Sequence, residues 1–477
     1  MSEHTRSSAV ELAAAIRERR ASAREVVEAH ISLLERVNPR INAVVVPRYD
    51  AARREAEAVD ARVGAAEDPD SLPPLLGVPC TIKETIGVEG MPHSAGVVAR
   101  RDHRCRRTAP IARRLLDAGA ILLGLTNVSE LAIWVETNNR VYGRTSNPYD
   151  PVRTAGGSSG GEAAAVGSGG SPIGLGTDLG GSIRLPAFFN GVFGHKPSLG
   201  LVPLTGLYPP APGDSAGLVV SGPLARRAED LMPLLRIISG PDGEDPLCRP
   251  AQLGDPAALS LQGLRVAVGR SGKLARPSRE LAEARERAAG ALAAAGAQLE
   301  RVSTQGLGRA LEMYLTALRT SAGVSGREVL ARAGAPPLTW RAALRPGGPH
   351  TAATRMMLGL ERLARLTPER RTRRVLAAGD SLVRELRATI GDGVLLHPPA
   401  PAVAPRHGRL LGRLWWAPPM VAFNLARLPV TQVPLGLGRR GLPVGVQVAA
   451  GPGRDHVSIA VALELERVFG GWVPPGG

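Results

Sequence analysis

The chain has 477 residues, 44% of them hydrophobic, which is enough to bury a core and too apolar for a disordered chain. Its formal net charge of +16 invites a nucleic-acid reading, but only 3% of residues are aromatic and the basic residues are spread along the chain, so solvated faces account for the charge better. No apolar run approaches the roughly 20 residues of a membrane span, and Cys80, Cys105 and Cys248 lie too far apart for a disulfide framework or a zinc cluster.

Two helices are expected in the first forty residues. Ser8 with Glu11, and Ser22 with Glu25, form capping-box patterns, and Asn38-Pro39 is expected to end the second helix. INAVVV (41–46) reads as a strand. LLGVPCTIKE (75–84) reads as a buried strand carrying Lys83 at its end. TAPIARRLLDAGA (108–120) is amphipathic, and ILLGLT (121–126) is the next strand.

Residues 154–200 are rich in Gly and Ser, with a helix start at Glu162–Val166 and a short strand in SPIGLGTD. LRVAVG (264–269), a helix from Ser278 to Ala295 and AQLERV (297–302) form a βαβ unit. Residues 305–390 read as helical. Strands are expected at 393–399, 428–434 and 442–450, and a closing helix at 456–470. No repeat period emerges. The pattern is that of one large α/β domain, with a central mixed β-sheet covered by helices on both faces.

Only three of the 59 basic residues are lysines: Lys83, Lys196 and Lys273. Arginine keeps its proton in proteins, whereas a desolvated lysine can become a neutral base. A lysine retained against this bias is a candidate for work that arginine cannot do. GTDLGGSIRLP (176–186) presents the complementary puzzle. Ser182 follows two glycines, as a nucleophile approached by a small ligand would, yet no histidine lies within ten residues of it. Asp178 and Arg184 flank it and read as a buried pair holding the loop.

Other readings stay open at this level. Gly156–Gly160 matches G-x-S-x-G, which a Ser-His-Asp hydrolase would use with a downstream histidine such as His195, His350, His397, His407 or His456. Lys83 could pair with Glu84 or Glu89. Lys196, in a turn before Pro197, is a rival base, and Lys273 reads as a solvated loop residue. His195 reads as structural.

The stretch GGSSGGEAAAVGSGGSPIGLGTDLGGSIRLPAFFNGVFGHKPS (156–198) resembles the signature of the amidase signature family. GVPCTIKETIGVEGMPHSAG (77–96), AGAILLGLTNVSELA (118–132), YGRTSNPYD (142–150) and residues 428–456 resemble its other segments, and 305–415 matches poorly. AFFNGVFGHKPS and GGWVPP are most similar to the subgroup of the second type of fatty acid amide hydrolase and related bacterial amidases.

The resemblance implies a single domain over 1–477, with a signature core at about 75–225 and a variable, mainly helical substrate-side segment at about 305–420. It implies a Ser-cisSer-Lys triad without cofactor or metal. Ser182 would be the nucleophile, Ser158 the bridging serine and Lys83 the base, with a cis peptide before Ser158. Backbone N–H groups of Leu179, Gly180, Gly181 and Ser182 would face the oxyanion. Gly157, Ser159, Thr177, Asp178 and Arg184 would support the site. Residues 131–137, with Ala132 and Trp134, are candidates for substrate contact; the apolar stretches of the helical segment read either as an acyl channel or as ordinary core and packed helix interface, and Trp415-Trp416 is the candidate for a channel mouth or a membrane surface.

The expected partner of this cytoplasmic chain is a small-molecule amide, and neither nucleic acid nor a transmembrane segment is expected. Weak peripheral membrane contact and a homodimer stay open. The expected activity is serine amidase action on apolar acyl or aryl amides. The alternatives are the amidase subunit of a glutamyl-tRNA amidotransferase, whose usual GLKPTYGRVS differs from GHKPSLGLVP here, and a catalytically silent binding protein.

Overall fold

In the computed structural model, which describes residues 1–210, 217–270, 276–321, 325–336 and 348–476, the chain opens with two capped helices. At the starts of α1 (Ala9–Arg17) and α2 (Ala23–Ile41), the Ser8 and Ser22 hydroxyls accept from the amides of Glu11 and Glu25, whose carboxylates reach back to the cap amides. Each box satisfies amides that a helix start leaves open. The second helix runs past Asn38-Pro39, contrary to expectation. A proline so near a C-terminus removes one hydrogen bond. The Asn38 side chain then accepts from the amides of Ala43 and Val44 at 2.8 and 2.9 Å, leading the chain into β1 (Val44–Pro47).

Helix α3 (Tyr49–Ala65) escaped the sequence reading, because its buried face is only Ala52, Ala56 and Val63. β2 (Pro79–Lys83), α4 (Pro110–Asp117) and β3 (Ile121–Thr126) follow the expected alternation. The Gly/Ser-rich stretch supplies α5 (Gly160–Gly167), β4 (Ile173–Asp178), α6 (Arg184–Phe189) and β5 (Phe193–Lys196). β6 (Val220–Ala225) and α7 (Leu231–Ile238) come next. The βαβ unit is β7 (Arg265–Arg270), α8 (Arg279–Ala294) and β8 (Gln298–Ser303). Among the described residues, four helices then follow: α9 (Ala310–Ser321), α10 (Gly326–Arg332), α11 (Ala352–Ala364) and α12 (Glu369–Ile390). β9 (Val394–His397), α13 (Pro418–Leu425), β10 (Val430–Leu437), β11 (Pro443–Ala450) and α14 (Asp455–Phe469) complete the chain.

The strands join in one sheet in the order β1-β3-β2-β4-β6-β5-β10-β11-β9-β7-β8. β2 is parallel to β3 and β4, and β7 to β8 and β9. The remaining pairs are antiparallel. This is the expected α/β domain with a central mixed sheet flanked by helices. Every residue of β2, β4, β6 and β11 is buried. Strands enclosed on both faces read as continuous apolar runs rather than as alternation.

Lys196 departs from its expected turn. It is the last residue of β5, paired with Val430, and its Nζ donates to the carbonyls of Pro197 at 3.1 Å and Leu428 at 2.7 Å. Pro197 ends the strand here instead of opening a turn.

The parallel pair positions the site. β2 and β4 lie in register, Thr81 opposite Gly174 and Ile82 opposite Leu175, so their C-terminal ends emerge side by side. Open α/β sheets place ligands at such carboxyl ends.

Candidate active site

Lys83 closes β2 with no solvent exposure. Its Nζ lies 2.7 Å from Ser158 Oγ and 2.7 Å from Thr177 Oγ1. Neither Glu84 nor Glu89 pairs with it. Glu84 instead accepts from the Ser94 and Ala95 amides and from the Tyr142 hydroxyl. Burial drives the Lys83 amine down to about 7, against the opposing pull of Asp178 and Glu162. At that value the neutral amine is populated at neutral pH.

Ser158 sits at the end of the glycine run that leads into α5, and the Gly157–Ser158 peptide is cis. The Ser158 carbonyl accepts from the Ser129 amide at 3.3 Å and from Thr137 Oγ1 at 3.4 Å. A side chain at Gly157 would stand 2.8 Å from the Trp134 carbonyl, so only glycine admits that close approach. Ser159 ties the segment to the next one. Its amide donates to the Ser182 carbonyl at 3.2 Å, and its hydroxyl to the Thr177 carbonyl at 3.3 Å.

Ser182 follows β4 and precedes α6, with 9% of its surface exposed, against 1% for Ser158. Its hydroxyl makes no hydrogen bond to any described residue. The loop before it carries the four amides expected to face an oxyanion. One of them is committed elsewhere, since Gly181 N–H donates to Asp178 Oδ1 at 2.8 Å. The amides of Leu179, Gly180 and Ser182 have no acceptor among the described residues. Gly181 has φ +105°, and a Cβ there would meet Met420 Cβ at 2.6 Å, whereas at Gly180 the nearest atom would be a comfortable 3.4 Å away. Packing therefore demands glycine at 181 and not at 180.

Asp178 and Arg184 are both fully buried and paired, with Arg184 Nε 3.0 Å and Nη2 3.1 Å from the two carboxylate oxygens. Burial pushes the Asp178 carboxyl up, but the Arg184 charge and its hydrogen bonds prevail and hold it well below the usual carboxylate range. Arg184 also donates to Gln447 Oε1 at 2.9 Å, Asn424 Oδ1 at 2.5 Å and the Met420 carbonyl at 3.1 Å. The Ser182 loop is thereby fastened to α13 and β11.

Three residues that the sequence reading missed complete the surroundings. Glu162, on α5, accepts from the hydroxyls of Thr81 and Thr126. Burial raises its carboxyl to about 7, with the Thr81 and Thr126 hydrogen bonds and the Lys83 charge pulling the other way. Asn424 donates to Asp178 Oδ1 at 2.9 Å. Tyr314, on α9, donates to the Leu179 carbonyl at 2.8 Å. Tyr314 lies in the poorly matched region 305–415, Asn424 falls between it and the matched segment 428–456, and Glu162 was legible only as a helix-start residue.

No histidine hydrogen-bonds Ser158 or Ser182 among the described residues. His195 lies 2.9 Å from Thr431 Oγ1 and 3.0 Å from Asp455 Oδ1, tying β5 to β10 and α14. His350 Nδ1 lies 2.6 Å from Glu130 Oε1 at the head of α11. His407 contacts Ser146 and Pro151. Lys273 falls outside the described residues. Trp134 is nearly buried, and its amide donates to Ser129 Oγ at 3.3 Å. Ala132, with φ 56°, is turned back by the hydrogen bond that its N–H donates to the Ser129 carbonyl. Trp415 is 51% exposed, while Trp416 is half-buried. No helix among the described residues is long and apolar enough to cross a membrane, and no described cluster of His, Cys, Asp or Glu could hold a metal ion.

The family model described as Amidase matches residues 25–458. The chain is 39% identical to fatty-acid amide hydrolase 2-A of Danio rerio and 37% identical to fatty-acid amide hydrolase 2 of Homo sapiens, in each case over 98% of this chain and 90% of the relative. Among solved structures it is similar to a bacterial aryl acylamidase of the amidase signature family, with a TM-score of 0.84 and 25% identity over 98% of this chain and 97% of that one.

Proposed function

This chain belongs to the amidase signature family and is an amide hydrolase, and from that premise we propose that it works through Ser182, Ser158 and Lys83 on amides of apolar acyl or aryl acids. The observation that carries the reading is the buried Lys83 amine, 2.7 Å from Ser158 Oγ and with its pKa lowered to about 7.

The steps follow from proton bookkeeping. Neutral Lys83 accepts the Ser158 proton while donating to Thr177. Ser158 in turn accepts the proton of Ser182 as Ser182 Oγ attacks the carbonyl carbon. The π electrons move onto the carbonyl oxygen, where the free loop amides stabilise the charge. The proton returns through Ser158 to the departing nitrogen, which leaves as amine or ammonia. Water then repeats the sequence on the acyl-enzyme and releases the acid. The open link is Ser182 to Ser158. Catalytic hydrogen bonds are often loose without substrate and tighten in the complex.

The preference for apolar acids rests on the two fatty-acid amide hydrolase relatives, on the aryl acylamidase likeness and on the apolar residues of α9 and α13 behind the loop. Leu179 packs against a cluster that includes Met313, Val421 and Phe423. A hydrolysis panel of short aliphatic, aryl and long-chain acyl amides, with Ser182→Ala as blank, tests the reading. Turnover of glutamine with none of any apolar amide would replace the substrate class, and Ser182→Ala with undiminished turnover would remove the nucleophile.

The pH dependence is a second test. Activity requires neutral Lys83, so the rate rises with pH through about 7 and falls as the amine is protonated below it. The Glu162 charge holds the Lys83 pKa up. Glu162→Gln removes that charge, so the acid limb of the kcat/KM profile moves to lower pH. The Glu162 carboxyl, raised to about 7, loses its own charge along the same limb, so the move is small, and an upward-moved limb contradicts the assignment.

A further inference from the structure

The Leu179–Gly180 peptide sits at the front of the nucleophile loop. On one side its carbonyl accepts the Tyr314 hydroxyl at 2.8 Å. Tyr314 is 4% exposed, and Gly180 lies close beside its ring, where a Cβ would stand 3.5 Å from the hydroxyl oxygen. In a trans peptide the carbonyl and the following N–H point to opposite sides. Holding the Leu179 carbonyl therefore aims Gly180 N–H away from Tyr314. Glycine at 180 leaves φ almost free, so nothing intrinsic to the loop prevents this peptide from turning over. The next amide is already held, because Gly181 N–H is spent on Asp178 Oδ1. The Leu179–Gly180 plane is held by Tyr314, and the Gly180–Gly181 plane after it by Asp178.

We propose that Tyr314 is a positioning residue for the oxyanion site, aiming Gly180 N–H at the substrate oxygen through its hydrogen bond to the Leu179 carbonyl. Tyr314 acts through that peptide and contacts no reacting atom. It lies on α9, which packs on α13 within the cluster that also receives Leu179. The helical segment thus bears on the chemistry as well as on the acyl group. The inference rests on the reading of Ser182 as nucleophile.

Tyr314→Phe on the full chain tests it, with the best amide of the substrate panel. Loss of a correctly aimed oxyanion donor costs catalysis about 10²–10³-fold when complete. Partial misorientation by turnover of one peptide is expected to lower kcat about tenfold to a hundredfold, with KM unchanged. An alkyl trifluoromethyl ketone supplies the readout that a structural role would not move. Ser182 Oγ bonds to its carbonyl carbon, the π pair moves onto oxygen as an alkoxide, and the serine proton passes to the relay. Its inhibition constant should weaken by the same factor as kcat/KM.

Wild-type kcat in Tyr314→Phe overturns the inference, and so does undiminished ketone affinity beside a lowered kcat. A fall in unfolding midpoint that accounts for the lost activity also overturns it. Ser182→Ala, assayed alongside, addresses the reading beneath. Retained turnover there removes the nucleophile, whereas a silent Ser182→Ala beside a wild-type-like Tyr314→Phe removes only the role given to Tyr314.

Discussion

Lys83→Arg is expected to lower amide hydrolysis roughly 10²–10⁴-fold, the usual contribution of a positioned general base, although it conserves the positive charge. Arginine keeps its proton at every accessible pH, so it can donate to Ser158 but cannot accept from it. Its larger fork also enters a space that has no solvent exposure. Measurement of kcat/KM at pH 8 decides the point, and activity within tenfold of the parent would falsify the neutral-lysine relay.

A linked stability effect has a definite sign. The folded pKa of Lys83, about 7, lies below its ordinary 10.5. Below pH 7 the amine is charged in both states, and burying it costs its full penalty. Between about 7 and 10.5 the unfolded chain binds a proton that the folded chain lacks, so stability rises with pH. Lys83→Met should therefore be inactive yet more stable than the parent. The gain should be largest below pH 7 and should shrink toward pH 10.5. Urea unfolding at pH 6, 8 and 10 reads this trend.

Arg184→Leu is the second large effect. It leaves the Asp178 carboxylate buried without its cation, and breaking a buried pair from one side costs about 3–5 kcal/mol. The lost bonds to Gln447, Asn424 and the Met420 carbonyl remove the ties from the Ser182 loop to α13 and β11. Activity should fall with stability. Asp178 is held low by Arg184 once burial is overcome, so the pair's contribution is present at neutral pH and disappears only in acid, below the ordinary carboxylate range. The double variant Asp178→Asn with Arg184→Leu should recover part of the loss, because it removes the stranded charge. Chemical unfolding of the three proteins checks this, and a double variant no more stable than Arg184→Leu would count against stranded charge as the cause.

Helix starts were the most legible part of the fold. Ser8 and Ser22 sit in local patterns that need only four residues to act, and the structure places both boxes where the patterns do. Long apolar strands such as β3 and β11 were equally plain. β5 and β6 were not, since strands interrupted by glycine and proline gain their pairing from neighbours distant in sequence. Helix α3 was hidden by an alanine face. Asn38-Pro39 misled because the side chain of Asn38 compensates for the proline through contacts with β1.

The site divides in the same way. Lys83 and Lys196 stood out as rare lysines before any fold was known, yet rarity could not separate them. Burial brings both amines down to about 7. What differs is the company: two hydroxyls, those of Ser158 and Thr177, at Lys83, and two backbone carbonyls at Lys196. Pairing of β2 with β4 brings Thr177 to Lys83, and the turn into α5 brings Ser158.

The amino-acid sequence by itself determined the residue types of the candidate site, the glycines around it and the mixed α/β architecture, because those are written in local patterns and in which side chains can change protonation. Tertiary structure alone decided that Lys196 is spent on backbone carbonyls, which loop amide is spent on Asp178, and that Tyr314 reaches the Leu179 carbonyl across 135 residues. A hydrogen bond depends on atoms within about 3 Å, and a sequence carries no distance between segments until the sheet brings them together.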